Sequence, residues 1–462
     1  FMNVKGFPFL WSMEYFLLPR VTPEEVAAAL RRSAQAGRAP GPDGIIPRQL
    51  TETGPVMQEL LGVLCDRVFM SGCWPRRWKR SVIVPLHKAG RSTFACSDFR
   101  PVALGSVVGK FVERVLLCRI CAQIGPDWAP NQFAATSGTS AADAVGAIIA
   151  SLRRDMGRKG RRDAFASATK ANTGPVRPVA CFVDFSDAFC HVRCDEAAAT
   201  AATLGAHPFA VRLLANFGAN QRFQVRVGGR VSAPQLVEDG APQGSILGPL
   251  VFALWVFPLN TRLRQPINAM PIPSSVCPRC RGPRDIRPAS HATCALAVDA
   301  SVVPAASIWM ADDLTLVAGE ACPSLLLHRL VATIDIIMDW CKRHALPVSK
   351  KTTSMLFGHG TVAHSQTALR IPSLRFGDFV VPVRTSGVAR CLGVLLDPAL
   401  CFGPQAERLA LWLRPFQSAL RWVGTRLWHK RDLWHGAGLG RLTYALHHYF
   451  WSLSEANTLV VD

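Results

Sequence analysis

Two carboxylates stand side by side at Asp312 and Asp313, and a third, Asp184, closes an apolar run far upstream. Ser307-Ile-Trp-Met-Ala-Asp-Asp-Leu-Thr-Leu-Val-Ala-Gly319 reads as strand, tight turn, strand, with the acids at or beside the hairpin tip. Pro178-Val-Ala-Cys-Phe-Val-Asp184 reads as a strand that delivers a carboxylate at its end. Adjacent carboxylates repel one another and resist burial unless a cation compensates them. Mg²⁺ suits that task, being hard, oxygen-seeking and usually shared between one or two carboxylates and substrate phosphates. Two such ions about 4 Å apart can activate an attacking oxygen and stabilise a leaving one. The plainer reading is a polar hairpin turn, since Asp is a favoured turn residue. The doublet alone does not separate the two.

The elements that must hold these acids lie in a chain of 462 residues, long enough for a large core and two or three subdomains. Hydrophobic residues make up 49%, which excludes a disordered chain. The 52 Lys and Arg against 32 Asp and Glu give a net charge of +20. That excess favours a polyanionic partner such as nucleic acid, although a generically basic protein would show the same balance. Cysteines scattered singly in apolar runs (Cys65, Cys118, Cys121, Cys181) read as reduced core residues and point to an intracellular site. The start, Phe-Met-Asn-Val-Lys, lacks the pattern of a signal peptide. Ile246 to Leu259, the longest apolar stretch, is too short to cross a bilayer and reads as a buried helix; no membrane partner is expected. Thr22, Pro23 and Glu25 predict a capped helix start. The abrupt ends at Phe1 and Asp462 suggest a piece of something longer.

Further blocks surround the acids. In order they are Gly37-Arg-Ala-Pro-Gly-Pro-Asp-Gly44; Pro85-Leu-His-Lys88-Ala-Gly90 with Asp98-Phe-Arg100-Pro101; and Gln132-Phe-Ala-Ala-Thr-Ser-Gly138-Thr-Ser140-Ala-Ala-Asp143. Then come Phe182-Val-Asp184-Phe-Ser-Asp-Ala188-Phe189 and Gly240-Ala-Pro242-Gln243-Gly244-Ser245-Ile-Leu247-Gly-Pro249. Met310-Ala-Asp312-Asp313 follows, and after it Trp340, Leu346 and Lys351-Thr352, then Leu392-Gly393-Val-Leu-Leu-Asp397. This series resembles the motifs of reverse transcriptases of non-LTR (LINE-like) retrotransposons, with an ingi-type affiliation as the narrower expectation. The resemblance covers most of residues 21–403, and the Pro-Gln-Gly-Ser block is its most specific match.

The resemblance implies an α+β right-hand polymerase, with fingers, a palm built on an antiparallel sheet, and a helical thumb. Its divisions fall at 1–20 (an N-terminal segment), 21–156 (fingers and the start of the palm) and 157–178 (a basic loop insertion). Palm segments at 179–265 and 305–403 flank a Cys-, Pro- and Arg-rich insertion at 266–304, and a thumb occupies 404–462. The implied reaction is RNA-templated DNA synthesis, in which a primer 3′-hydroxyl attacks the α-phosphate of a dNTP. Asp184, Asp312 and Asp313 are then the catalytic residues and the ligands of two Mg²⁺ ions. Lys88 and Arg100 would neutralise the triphosphate, Arg offering a planar fork; a solvated basic surface is the alternative. Phe189 would lie against the sugar and exclude a ribose 2′-hydroxyl, or simply pack in the core. Gln243 and Gly244 would meet the nucleotide, with Gly permitting close backbone approach and Ser245 capping the helix that follows. Lys351 would serve the departing pyrophosphate, with Lys350 as its rival. The series departs from the family at Met310, where Tyr or Phe is commoner, and at Cys190, where Asp is often found.

Cys277, Cys280, His291 and Cys294 form a Cys-x₂-Cys and His-x₂-Cys set that could hold one structural Zn²⁺; free surface cysteines are the alternative. From Arg408 to Lys430, apolar residues repeat at helical spacing with Arg and Trp between them, which suits a thumb helix along a duplex. Expected partners are an RNA template, a DNA primer or target and dNTPs, with other element-encoded domains outside this chain. The implied site of action is the nucleus. Two rival functions stay open: a decayed element that binds RNA without catalysis, and an RNA-templated RNA polymerase.

Overall fold

A computed structural model describes residues 19–33, 39–52, 54–88, 95–136, 138–157, 177–266, 304–320, 323–358 and 371–411. The zinc set Cys277, Cys280, His291 and Cys294 lies outside the described residues. So do almost all of the basic insertion and of the expected N-terminal segment, and the thumb beyond residue 411. In chain order the strands are β1 (Arg80–His87), β2 (Phe99–Leu104), β3 (Arg177–Val183), β4 (Gln221–Val227), β5 (Arg230–Val231) and β6 (Gln235–Val237). They continue as β7 (Ala306–Met310), β8 (Asp313–Glu320), β9 (Thr353–Leu356), β10 (Ser373–Phe376), β11 (Phe379–Arg384), β12 (Ala389–Cys391) and β13 (Val394–Leu396). With the helices between them they make a mixed α+β fold. No described helix is long and apolar enough to cross a membrane.

The chain divides into two compact units. The first comprises Phe1–Ala129 and Asp187–Pro258. Its sheet runs β2-β1-β4-β5, with β6 also paired to β4. β1 and β2 are antiparallel, whereas β1 and β4 are parallel. The unit opens on the helix Pro23–Ser33, where the Thr22 hydroxyl accepts from Glu25 N and the Glu25 carboxylate accepts from Thr22 N. This is the capping box expected from the sequence. The apolar run near its end forms the helix Gly248–Arg262, buried from Leu250 through Val256.

The second unit comprises Pro130–Ser186 and Leu259–Asp462. Its six-stranded sheet has the order β10-β11-β9-β3-β8-β7, and every pairing is antiparallel except that of β11 with β9. β8 is buried from Leu314 through Gly319, so both of its faces are covered, as in sheets packed between helices. One cover is the helix Ala141–Gly157, whose Ala144, Val145, Ile148 and Leu152 join Ala180, Ile308 and Val317 in one core. A strand sealed in this way forces its charged residues to its ends, as with Asp313 and Glu320 in β8.

Candidate active site

The acids sit at those ends. β7 and β8 pair from Ala306↔Val317 to Met310↔Asp313, leaving Ala311 and Asp312 as a two-residue turn. Ala311 adopts φ 56°, the left-handed value that tight hairpins require at their first central position. β3 pairs with β8 as far as Val183↔Leu314, so Asp184 leaves the sheet one step later, level with Asp313. The turn Ser349–Thr352, with Lys350 and Lys351 at its centre, secures Asp184: its carbonyl accepts from Ser349 N at 2.7 Å, and its N donates to the Thr352 hydroxyl at 3.2 Å. Strand register thus brings two residues 129 positions apart to one edge, Asp312 beside them.

Electrostatics show the consequence. Burial pushes the Asp312 carboxyl above the ordinary carboxylate range, and Asp184 pushes it further. Asp313 keeps contact with solvent, yet the atoms packed around it strip enough water to raise its pKa to about 6, with repulsion from Asp312 and Asp184 added. Among the described residues no ready-made cage of three His, Cys, Asp or Glu exists. What exists is a set of three acids in which Asp184 acts on Asp312, and both act on Asp313. That donor set fits a hard divalent ion whose remaining ligands are water and substrate phosphate.

A cavity of about 140 Å³ in the same unit is lined by Asp184, Asp313, Lys351, Arg390 and Leu392, among others. Of the two rival lysines, Lys351 lines it and Lys350 does not. Arg390 was missed in the sequence because it sits in β12, a three-residue strand with no pattern of its own. Leu392 and Gly393 form the turn between β12 and β13, with φ 47° and 88°. A left-handed Leu costs about 1–2 kcal/mol, so this turn is held by its surroundings.

The remaining candidates belong to the first unit. The register Leu86↔Arg100 and the bond from Lys88 N to Asp98 O place Lys88 and Arg100 on one face of the β1–β2 ladder, Arg100 exposed and Lys88 half-buried. Phe189 is half-buried, its ring 5.3 Å from that of Phe252, and its carbonyl accepts from Ala241 N at 2.8 Å. It therefore has both an exposed part and a packing partner.

The Pro-Gln-Gly-Ser loop is fixed from three sides. Gln243 O accepts from Ala103 N at 2.9 Å. Gly244 has φ 104°, and a Cβ there would stand 3.1 Å from Ala103 O, so its close approach is to strand β2. Ser245 Oγ accepts from Gly248 N at 3.0 Å, tying the first turn of the helix Gly248–Arg262. A buried carboxylate that sequence reading missed completes the loop: Glu113 accepts from Ile246 N at 2.6 Å and Leu247 N at 3.1 Å. Burial raises its pKa, and the two N–H bonds act against that rise.

Residues 86–394, well over half of the chain, match the family described as Reverse transcriptase (RNA-dependent DNA polymerase). The chain belongs to that family. A Drosophila melanogaster protein named probable RNA-directed DNA polymerase from transposon BS is 25% identical over 410 residues, covering 87% of this chain and 38% of that protein. The RNA-directed DNA polymerase from the mobile element jockey of the same species is 24% identical over 256 residues, covering 55% of this chain and 26% of that protein. The chain spans well under half the length of these relatives. A solved structure of apo telomerase from Candida tropicalis, truncated from its C-terminal domain, covers 73% of this chain and 59% of its own at 10% identity, with a TM-score of 0.36. Reverse transcriptases as a family use divalent metal ions.

Proposed function

We propose that this chain is the polymerase core of a non-LTR retrotransposon, copying RNA into DNA from a primer 3′-hydroxyl. The observation that carries the reading is the convergence of Asp184, Asp312 and Asp313 at one end of strands whose interior is buried. These carboxylates would hold two Mg²⁺ ions. When bound, Mg²⁺ supplies a Lewis acid that eases loss of the hydroxyl proton and offsets charge on the leaving group. Lys351, at the cavity beside the acids, holds a positive charge for pyrophosphate. Lys88 and Arg100, together on one ladder face, pair with the triphosphate oxygens. Phe189 bars a ribose 2′-hydroxyl, and Gln243 with Gly244 supports the nucleotide.

On this reading the two units contribute fingers and palm of a right hand, residues 404–462 supply the thumb, and RNA template, DNA primer and dNTPs are the partners. The element's other activities lie in domains outside this chain, and the work is done in the nucleus. Zinc at Cys277, Cys280, His291 and Cys294 remains part of the proposal, checked by metal analysis of protein purified without chelator.

The test is dTTP incorporation on poly(rA)/oligo(dT) with Mg²⁺, beside an Asp312→Ala, Asp313→Ala double variant. Incorporation that the variant loses supports the reading. A folded wild-type chain that binds the primer–template and incorporates nothing overturns it in favour of an RNA-binding remnant.

A further inference from the structure

The turn that carries Asp312 does not stand alone. Residues Asn131–Phe133 lie along the free edge of β7: Trp309 N donates to Asn131 O at 2.7 Å, and Phe133 N donates to Trp309 O at 2.9 Å. This three-residue addition carries Gln132, only 3% exposed, to the hairpin tip. There the Gln132 amide meets Ala311 twice. Its Oε1 accepts from Ala311 N at 3.1 Å, and its Nε2 donates to Ala311 O at 3.3 Å. Oε1 also accepts from Ala134 N at 3.3 Å, which holds the amide in orientation.

We propose that Gln132 is a positioning residue, an internal clamp that sets the turn presenting Asp312. The inference rests on the reading of Asp312 as a catalytic carboxylate. Its physical basis is local. The N–H and C=O of Ala311 belong to the two peptide planes on either side of its Cα. A bond to each fixes both planes, and the second plane carries the nitrogen of Asp312. Ala311 needs that support, because a left-handed alanine costs about 1–2 kcal/mol that glycine would not. A buried side-chain amide is also a costly group to leave unpaired, so it holds these bonds firmly. The stretch Gln132 to Asp143, which otherwise contributes only a helix start to the site, thereby acquires a task in catalysis.

Gln132→Met keeps the length and removes both bonds; Gln132→Glu keeps the acceptor and removes the donor. In the full chain with Mg²⁺, poly(rA)/oligo(dT) and dTTP, we expect Gln132→Met to lose about tenfold to a hundredfold in kcat, the scale of a small misplacement of reacting groups. The KM for dTTP and the Kd for primer–template should stay within about twofold. Amide exchange at Ala311 should quicken about tenfold, the loss of one modest hydrogen bond. Gln132→Glu reports the donor alone if Gln132→Met does not fold. Wild-type kcat in both variants overturns the proposal, as does a kcat loss matched by equal changes in KM and Kd. Should the wild-type chain itself incorporate nothing, the polymerase reading fails separately. Exchange at Ala311 then decides the clamp: faster in Gln132→Met supports it, and unchanged overturns it.

Discussion

The two units hold their chemistry in opposite ways. In the second unit three acids at or beside strand ends are placed by backbone register and drawn together against their own repulsion, with Lys351 and Arg390 lining the cavity beside Asp184 and Asp313. In the first the candidate groups are cations on an accessible sheet face, with a polar loop beside them pinned by Gly244, Ser245 and the buried Glu113. The acids are crowded and partly dehydrated; of the cations, Arg100 is exposed and Lys88 half-buried. The contrast teaches where each kind of group gets its strength. A carboxylate cluster gains affinity for a cation by being expensive without one. An exposed Arg such as Arg100 gains little from its surroundings and acts through the ligand it meets.

Removing charge from the cationic face should have a large effect, second only to loss of the acids themselves. Lys88→Ala with Arg100→Ala should lower kcat/KM for dTTP about a hundredfold, mostly through KM, measured by steady-state primer extension. A loss confined to kcat would mean the two residues do more than hold phosphate. A smaller effect is expected at the packed aromatic. Phe189→Val should reduce discrimination between dTTP and UTP about tenfold, read from paired incorporation rates. Unchanged discrimination, with a lower melting temperature, would return Phe189 to the core beside Phe252.

The smallest effect belongs to the acids in the absence of metal. Asp313 has a folded-state pKa of about 6, above its ordinary 3.8. A raised carboxylate stabilises the fold below the lower value, and that stability is lost as pH rises through the higher one. Metal-free protein should therefore lose stability between about pH 4 and pH 6. Because Asp313 keeps contact with solvent, the effect should be only on the order of 1 kcal/mol. Asp313→Asn should flatten the melting profile in that range. By the same logic Mg²⁺ should raise the melting temperature more at pH 7.5 than at pH 5. An equal rise at both pH values would detach the ion from these carboxylates.

What could be read from the sequence divides along physical lines. The strand ending in Asp184, the Asp312–Asp313 hairpin, the Thr22 capping box and the buried helix near residue 250 each leave a local pattern, and each stands where that pattern put it. The clamp from Gln132 to Ala311 spans 179 residues, and the bond from Glu113 to Ile246 spans 133. Hydrogen bonds over such distances leave no periodicity to read. Nor do the parallel pairings of β1 with β4 and of β9 with β11, which depend on where distant strands meet. Arg390 sits in a local hairpin, but its strand β12 is only three residues long and leaves no pattern either. The sequence therefore disclosed the acids themselves and left hidden the residues that hold them.

The most direct test of the carboxylate cluster is single-nucleotide incorporation as a function of Mg²⁺ concentration, in wild type beside Asp184→Asn and Asp312→Asn. Saturable dependence on Mg²⁺ is expected in wild type, with a loss of about a thousandfold in each variant at every concentration, the scale of removing a central electrostatic group. Variants that incorporate dTTP at the wild-type rate, or a wild-type reaction indifferent to divalent metal, would contradict this expectation.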